Sequence, residues 1–279
     1  METTLGLTTR RLSSAIGALT GGVDITRPLP PRIIQTLRQA LLGHGVIFFQ
    51  DQDLSDDQMT AFVSQFGTPI PEPFSDSTMD ATAPVFQTDL GPTRFATAVW
   101  HSDTTFVPEP PMMTALRAVT LPPVGGDTCW ACMHAAYDAL SEPLRRMLDG
   151  LSAVHSMYPT AQRLGVHLGD RAAGAQAQGG EHIHPVVRVH PETGRKALFV
   201  NESATTRIVE LGAAESAQIL ALLFQHVKSP DFAMRWRWTP NDVALWDNRA
   251  VQHYAVPDYQ AERVMQRVVL AGDRPAGPR

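Results

Sequence analysis

Apolar residues in this chain fall mostly into short runs without a helical period, broken by Gly, Pro and Asp, with a few longer amphipathic stretches between them. Val46-Ile47-Phe48-Phe49 after Gly45 shows the first kind. It is too short for a stable helix, and its β-branched and aromatic side chains suit a pleated surface, so it predicts a buried strand. Similar runs predict strands at 114–119, 198–200, 234–238 and 243–246, and another at 128–131 after the turn Gly125-Gly126. The amphipathic stretches predict helices over 32–42, from Ser55 to about Phe66, from Ser141 to Gly150, and over 214–227. Ser55 and Gln58 have capping-box spacing, and Pro143 suits a first helical turn. Ile219, Leu220, Leu222, Leu223 and Phe224 predict the buried stripe of the last helix. Strands outnumber helices, which predicts a mainly β fold with flanking helices (α+β) of the jelly-roll kind.

At 279 residues, 43% hydrophobic and 18% charged, the chain has enough apolar material for one large β-rich domain or two small ones. A formal net charge of −5 and a pI near 6.0 argue against a nucleic-acid partner, which calls for a basic surface. No apolar run reaches the length that spans a bilayer. Arg10-Arg11 are not followed by the apolar core of a signal peptide, so cytoplasmic residence is expected. Cys129 and Cys132 share the spacing of redox and zinc motifs. Two thiols supply only half of a structural zinc site, and Met133 stands where haem attachment needs His. The pair reads as small apolar residues of a strand.

Candidate chemistry concentrates in Val99-Trp100-His101-Ser102-Asp103-Thr104-Thr105-Phe106. With strand-favouring neighbours, His101 and Asp103 read as alternate positions of one strand, which points an imidazole and a carboxylate to the same side. The best third ligand is His253, shortly after the apolar run that ends in Trp246-Asp247-Asn248-Arg249. Two neutral imidazoles and one carboxylate make the facial triad suited to non-haem Fe(II), with positions left for substrate or O2. Arg263 and Arg267 precede an apolar strand, where a guanidinium is costly to bury without an anionic partner. Arg is also the side chain whose planar fork pairs with a carboxylate.

Taken in order, the segments Trp100 to Phe106, Gly125-Gly126-Asp127-Thr128, His184 to Pro191, Leu198 to Glu202 and Trp246 to Arg267 resemble one family. It is the taurine dioxygenase and aryloxyalkanoate dioxygenase family of Fe(II)- and 2-oxoglutarate-dependent dioxygenases, and the resemblance runs from about Gly17 to Pro275. It implies a double-stranded β-helix (jelly roll, cupin-like) as a single domain over 1–279, and a dimer or tetramer. It implies Fe(II) on His101, Asp103 and His253, with O2 and 2-oxoglutarate as cosubstrates. Thr128 matches the threonine that contacts the oxoacid, and Arg263 the arginine that holds its distal carboxylate. Arg267 matches the position that pairs with the substrate sulfonate in taurine dioxygenase. The interval from His253 to Arg263 is one residue shorter than the family's, with Met265, Arg267 and Gly272-Asp273 holding the register.

The pocket positions depart from taurine dioxygenase. Its taurine-binding His and Tyr fall on Glu72 and Ser75, its Asn on Thr97, and an aromatic wall residue on Ala204; Thr104 is a further substrate-contact candidate. A glutamate repels a sulfonate, and loss of an aromatic enlarges the pocket, so taurine is not the expected substrate. Arg267 still implies an acid: a sulfonate, sulfate ester, aryloxy acid or natural-product carboxylate. The low-complexity stretch Asp170 to Gly180 predicts a mobile lid at about 158–182. His182, His184 and His190 read as framework residues rather than a second metal site. Trp236 and Trp238, alternating with Arg235 and Arg237, read as core packing with exposed guanidinium groups.

The implied reaction hydroxylates a C–H bond of a small organic substrate as 2-oxoglutarate loses CO2 and becomes succinate. Asp103 fills a position that related halogenases leave to chloride, which favours hydroxylation. A hydroxylated carbon bearing a heteroatom can collapse, so C–S or C–O cleavage is equally open. On the residues alone two other classes stay open: a hydrolase using Zn²⁺ on the same ligands, and a non-catalytic jelly roll that binds a small acid or a metal. Neither nucleic acid nor membrane is expected as a partner.

Overall fold

The computed structural model describes residues 2–4, 6–71, 85–88, 98–164 and 180–278. Strands β1 (Glu2–Thr4), β2 (Leu7–Arg11) and β3 (Ala18–Gly21) lead into helix α1 (Pro31–His44) and β4 (Val46–Phe49). Helix α2 (Asp56–Ser64), β5 (Pro69–Ile70), β6 (Val85–Thr88), β7 (Met113–Thr120) and β8 (Thr128–Cys132) follow. Helices α3 (Met133–Asp138) and α4 (Glu142–Leu148) precede β9 (Ser152–Ser156), α5 (Tyr158–Leu164), β10 (Glu181–Pro185), β11 (Val187–Val189), β12 (Lys196–Leu198) and β13 (Thr205–Ile208). The chain closes with α6 (Ala213–His226), β14 (Ala233–Trp236), β15 (Val243–Asp247), β16 (Val251–Ala255) and β17 (Val264–Leu270).

Among the described residues the main sheet runs β1-β2-β3-β4-β15-β7-β17-β5, with β6 also paired to β17. A smaller sheet, β14-β8-β16, faces it, and β10-β9-β13 and β11-β12 complete the strands. The period of two explains how β4 and β15 are buried along their whole length. Ile47, Phe49, Val243 and Leu245 meet the apolar stripes of α1 and α2, including Leu37, Leu41, Met59 and Phe62. Val46, Phe48, Ala244 and Trp246 turn the other way and pack with Trp130 of β8 and Val251 of β16. The inner space between the two sheets is thus a packed core, and the helices cover the outside. The fold is the jelly roll with flanking helices that the pattern predicted.

Local signals held where they were self-contained. Ser55 Oγ accepts from the Gln58 N–H at 3.2 Å and Gln58 Oε1 accepts from the Ser55 N–H at 2.7 Å, a complete capping box. In α6 the buried residues are Ser216, Leu220 and Leu223, whereas Leu222 is 47% exposed. Leu222 lies two residues from Leu220, more than half a turn of helix away, so the predicted stripe was one residue too wide. The strand expected at 198–200 is displaced to β12, which ends at Leu198. Helix α3 was not predicted; its N-cap is Cys132, whose Sγ accepts from the Ala135 N–H at 3.5 Å. Both cysteines are free, and burial pushes their thiols up, that of Cys129 to about 11, so neither is the activated thiolate a redox role requires.

Candidate metal centre

His253 pairs across β16–β8 with Trp130, whose side chain lies in the core between the sheets, so the imidazole faces that interior. His101 is fastened directly against it. The backbone N–H of each donates to the carbonyl of the other, at 3.0 and 2.8 Å, in one antiparallel bridge. Beyond that bridge the chain turns instead of continuing as the expected strand. Thr104 adopts φ 41, uncommon for a β-branched residue, and the turn is pinned by side chains. Ser102 Oγ donates to Val251 O at 2.6 Å, and Asn201 Nδ2 donates to Thr105 Oγ1 at 3.0 Å. The common orientation of His101 and Asp103 therefore comes from a held turn and not from strand alternation.

Ligand atoms of His101, Asp103 and His253 all lie within 4.8 Å of one another, the one such group found among the described residues. The His101 and His253 rings have centroids 4.1 Å apart, and Trp246 packs 4.8 Å from His253. His101 Nδ1 lies 2.6 Å from Val99 O. A carbonyl only accepts, so Nδ1 carries the proton and Nε2 is the lone-pair side of the ring. His253 Nδ1 is buried without a hydrogen-bond partner. Burial and the neighbouring His101 hold the His253 imidazole well below its ordinary pKa, in the neutral form that ligates metals. Burial would raise Asp103, but Arg267, the two imidazoles and Thr114 outweigh it and hold the carboxyl well below the usual carboxylate range. Two imidazoles and one ionised carboxylate converging at this range fit a divalent metal.

The two carboxylate oxygens of Asp103 have different surroundings. Oδ1 lies 2.6 Å from Arg267 Nη2 and 3.6 Å from His253 Nε2. Oδ2 accepts from Thr114 Oγ1 at 2.7 Å. Arg263, buried before β17, donates from Nε to Gly126 O at 3.0 Å and from Nη2 to Thr128 Oγ1 at 3.4 Å. Thr128 Oγ1 also accepts from Trp238 Nε1 at 3.0 Å. This seat depends on the glycine turn. Gly126 has φ +74, and a Cβ there would meet Arg263 Cδ at 3.1 Å, while one on Gly125 would stand 2.6 Å from Asp258 O. The structure thus joins Thr128 to Arg263 and Arg267 to Asp103.

Thr104 Oγ1 is buried without a hydrogen-bond partner. Ala204 is buried in a small apolar cluster with Phe106, Val107 and Met157. Glu72, Ser75 and Thr97 lie outside the described residues, as does segment 165–179 of the expected lid; the ends of that range are α5 and β10. His184 is buried with Nε2 3.0 Å from Val107 O, and burial pushes its imidazole down to about 4. Trp236 stacks on Phe48 at 4.1 Å, and Arg235 pairs with Asp127 and Asp258, as the alternating pattern predicted. Two residues beside the triad escaped the sequence reading, Thr114 and Asn248. The first opened a predicted strand and the second lay in the Trp246-Asp247-Asn248-Arg249 segment, but nothing local links either to Asp103.

A jelly roll with two histidines and one aspartate at its inner wall defines the non-haem iron oxygenase class. Residues 8–269 match the family described as taurine catabolism dioxygenase TauD, TfdA, and the chain belongs to it: it is an Fe(II)- and 2-oxoglutarate-dependent dioxygenase. It is 38% identical over 282 residues to an alpha-ketoglutarate-dependent sulfate ester dioxygenase of Pseudomonas putida, covering 98% of this chain and 92% of that one. Its structure is similar to that of a taurine dioxygenase from Burkholderia xenovorans, at TM-score 0.82 and 37% identity, covering 98% and 93% of the two chains. It is also similar to AAD-2 in complex with Mn(II) and N-oxalylglycine, at TM-score 0.86 and 27% identity, covering 97% and 99%. Family membership removes the zinc hydrolase and the non-catalytic binder from consideration. No helix among the described residues is long and apolar enough to cross a membrane.

Proposed function

We propose that the enzyme oxidises a small organic acid, and that the acid is an organic sulfate ester. The observation that carries the acidic substrate is Arg267, whose nearly buried guanidinium stands at the triad, 2.6 Å from Asp103 Oδ1. A guanidinium is a planar, permanently charged fork that matches the geometry of carboxylate and other oxyanions. It seats an anionic head so that the adjoining carbon lies toward the metal. The sulfate ester class is supported by the relative from P. putida. Thr104, with its strained backbone and unpaired hydroxyl, supplies a further donor to the substrate; Glu72, Ser75 and Thr97 are the remaining pocket candidates. Arg263 and Thr128 hold the distal carboxylate of 2-oxoglutarate from the glycine turn, while His101, Asp103 and His253 hold Fe(II).

With its metal, oxoacid and O2 bound, the centre supplies the oxidising equivalents that place hydroxyl on a substrate carbon while 2-oxoglutarate becomes succinate and CO2. Hydroxylation at the carbon bearing the ester oxygen gives a hemiacetal-like sulfate. Its C–O bond breaks as the hydroxyl proton leaves, yielding an aldehyde, sulfate and a proton. In this reading residues 1–279 act as one domain in the cytoplasm, as a dimer or tetramer. The reading of that range as a lid is supported by the tie of Thr160 of α5 to Ser203, next to Ala204, Oγ1 to Oγ at 3.0 Å. The test is an anaerobically loaded enzyme offered primary alkyl sulfates, alkyl sulfonates and aryloxy acids, with succinate, sulfate and sulfite quantified. Sulfate and succinate released in equal amounts from an alkyl sulfate support the proposal. Faster turnover of a sulfonate with sulfite release would replace the ester by a sulfonate.

A further inference from the structure

Asp103 must serve the metal through one oxygen only if positions are to remain for a chelating oxoacid and for O2, and the structure contains a device for that. Thr114 lies on β7 opposite Trp246 of β15, on the face turned to the space between the sheets. Its hydroxyl donates to Asp103 Oδ2 at 2.7 Å. A hydroxyl has one proton, and what commits it to Asp103 is Asn248: Nδ2 donates to Thr114 Oγ1 at 2.8 Å. The Asn248 amide is in turn oriented, because Trp246 Nε1, which only donates, binds its Oδ1 at 2.8 Å. Thr114, Asp103 and Asn248 are all buried, so water does not substitute for a missing partner.

We infer that Trp246, Asn248 and Thr114 form a one-directional hydrogen-bond relay that occupies Asp103 Oδ2 and so keeps Asp103 a one-oxygen metal ligand. Thr114 and Asn248 are positioning residues: neither reaches the reacting atoms, and each acts through the carboxylate. The inference rests on the metal reading of the triad. It makes a prediction peculiar to the direction of the chain of donors. An aspartate at 248 still accepts from Trp246 but cannot donate to Thr114; it draws the hydroxyl proton toward itself and releases Oδ2, although Thr114 is unchanged.

The experiment titrates Co(II) into metal-free parent, Thr114→Val, Thr114→Ser and Asn248→Asp proteins. It reads quenching of tryptophan fluorescence, since Trp246 packs on His253, together with the Co(II) ligand-field spectrum. Thermal melting of the metal-free proteins shows that each is folded. Outer partners of metal ligands typically contribute about 10–100-fold in metal affinity. Thr114→Val and Asn248→Asp are expected to weaken Co(II) binding at least about tenfold and to change the ligand-field bands, with Thr114→Ser close to the parent. Unchanged affinity and bands in folded Asn248→Asp would overturn the relay. So would a Thr114→Ser protein that behaves as Thr114→Val, because packing and not the hydroxyl would then be responsible. A folded parent that binds no Co(II) would instead remove the metal reading beneath it.

Discussion

Two buried histidine–aspartate clusters flank the β15–β16 turn, and they do opposite things. In the first, His190 Nε2 donates to Asp247 Oδ2 at 3.0 Å, and its Nδ1 accepts from the Glu192 and Thr193 N–H groups at 3.2 Å. Arg249 closes on the same carboxylate with Nε at 2.8 Å and Nη2 at 2.7 Å, and continues to Glu192 at 2.8 Å. Every ring nitrogen and carboxylate oxygen of that pair has a partner. In the second, His253 Nδ1 has none, and Asp103 Oδ1 faces both Arg267 and His253. Both carboxylates are buried beside a histidine and an arginine; among the described residues only Asp103 has two imidazoles converging with it within 4.8 Å. A hydrogen-bonded pair braces the fold, and three converging ligand atoms are where a metal belongs.

The sharpest way to break this contrast is to remove each carboxylate. Asp103→Ala should abolish 2-oxoglutarate-dependent O2 uptake on any substrate; retained full activity would sink the triad. Asp247→Asn should leave metal binding by the folded protein intact but cost about 3–5 kcal/mol of stability, because Arg249 loses its buried counter-charge. Urea denaturation measures that loss, and a shift below about 1 kcal/mol would show that Glu192 alone neutralises Arg249.

A smaller effect separates the two arginines at the open cluster. Arg263→Ala should raise the concentration of 2-oxoglutarate needed for half-maximal rate at least about tenfold, the expected weight of one charge-assisted contact. Arg267→Ala should act mainly on the requirement for the acidic substrate. The reverse ranking in steady-state kinetics would mean that the shortened interval after His253 shifts the register.

Acid should act on buried histidines outside the metal centre. Burial pushes His134 and His184 down to about 4, so both are folded in their neutral forms. The unfolded chain then binds more protons between about pH 6.5 and that value, and stability present above the ordinary imidazole pKa is lost as pH falls through this window. The urea midpoint should drop between pH 6.5 and 4, less steeply in His134→Asn; a flat profile in the parent would contradict the burial argument. The smallest effect belongs to the thiols. With both pushed above their ordinary value, alkylating reagents near neutral pH should react slowly and leave turnover unchanged.

How much of this was legible in the sequence follows from the range of each interaction. The capping box of α2 joins residues three apart and was read in full, as were α1 and the strands β4, β7 and β15. The triad was legible because its three residue types are chemically unusual together and match a family pattern. Its local geometry was misread, since strand alternation was expected where Ser102, Thr104 and Thr105 make a turn. Helix α3 was missed because a cysteine stands in for the usual capping residue, and Leu222 was misplaced because leucines on both sides of it blur a helical stripe.

The order of apolar and polar residues determined by itself which segments become strands and helices, and the side-chain chemistry named the metal ligands and the buried arginines. Only the tertiary structure decided which atoms of those residues are engaged. Asp103 meets Thr114 across eleven residues and Thr114 meets Asn248 across 134. Contacts of that length are set by sheet register and by the closing of one sheet over another. No local pattern carries them, and they decide that Asp103 holds a metal while Asp247, in an equally buried place, holds the fold.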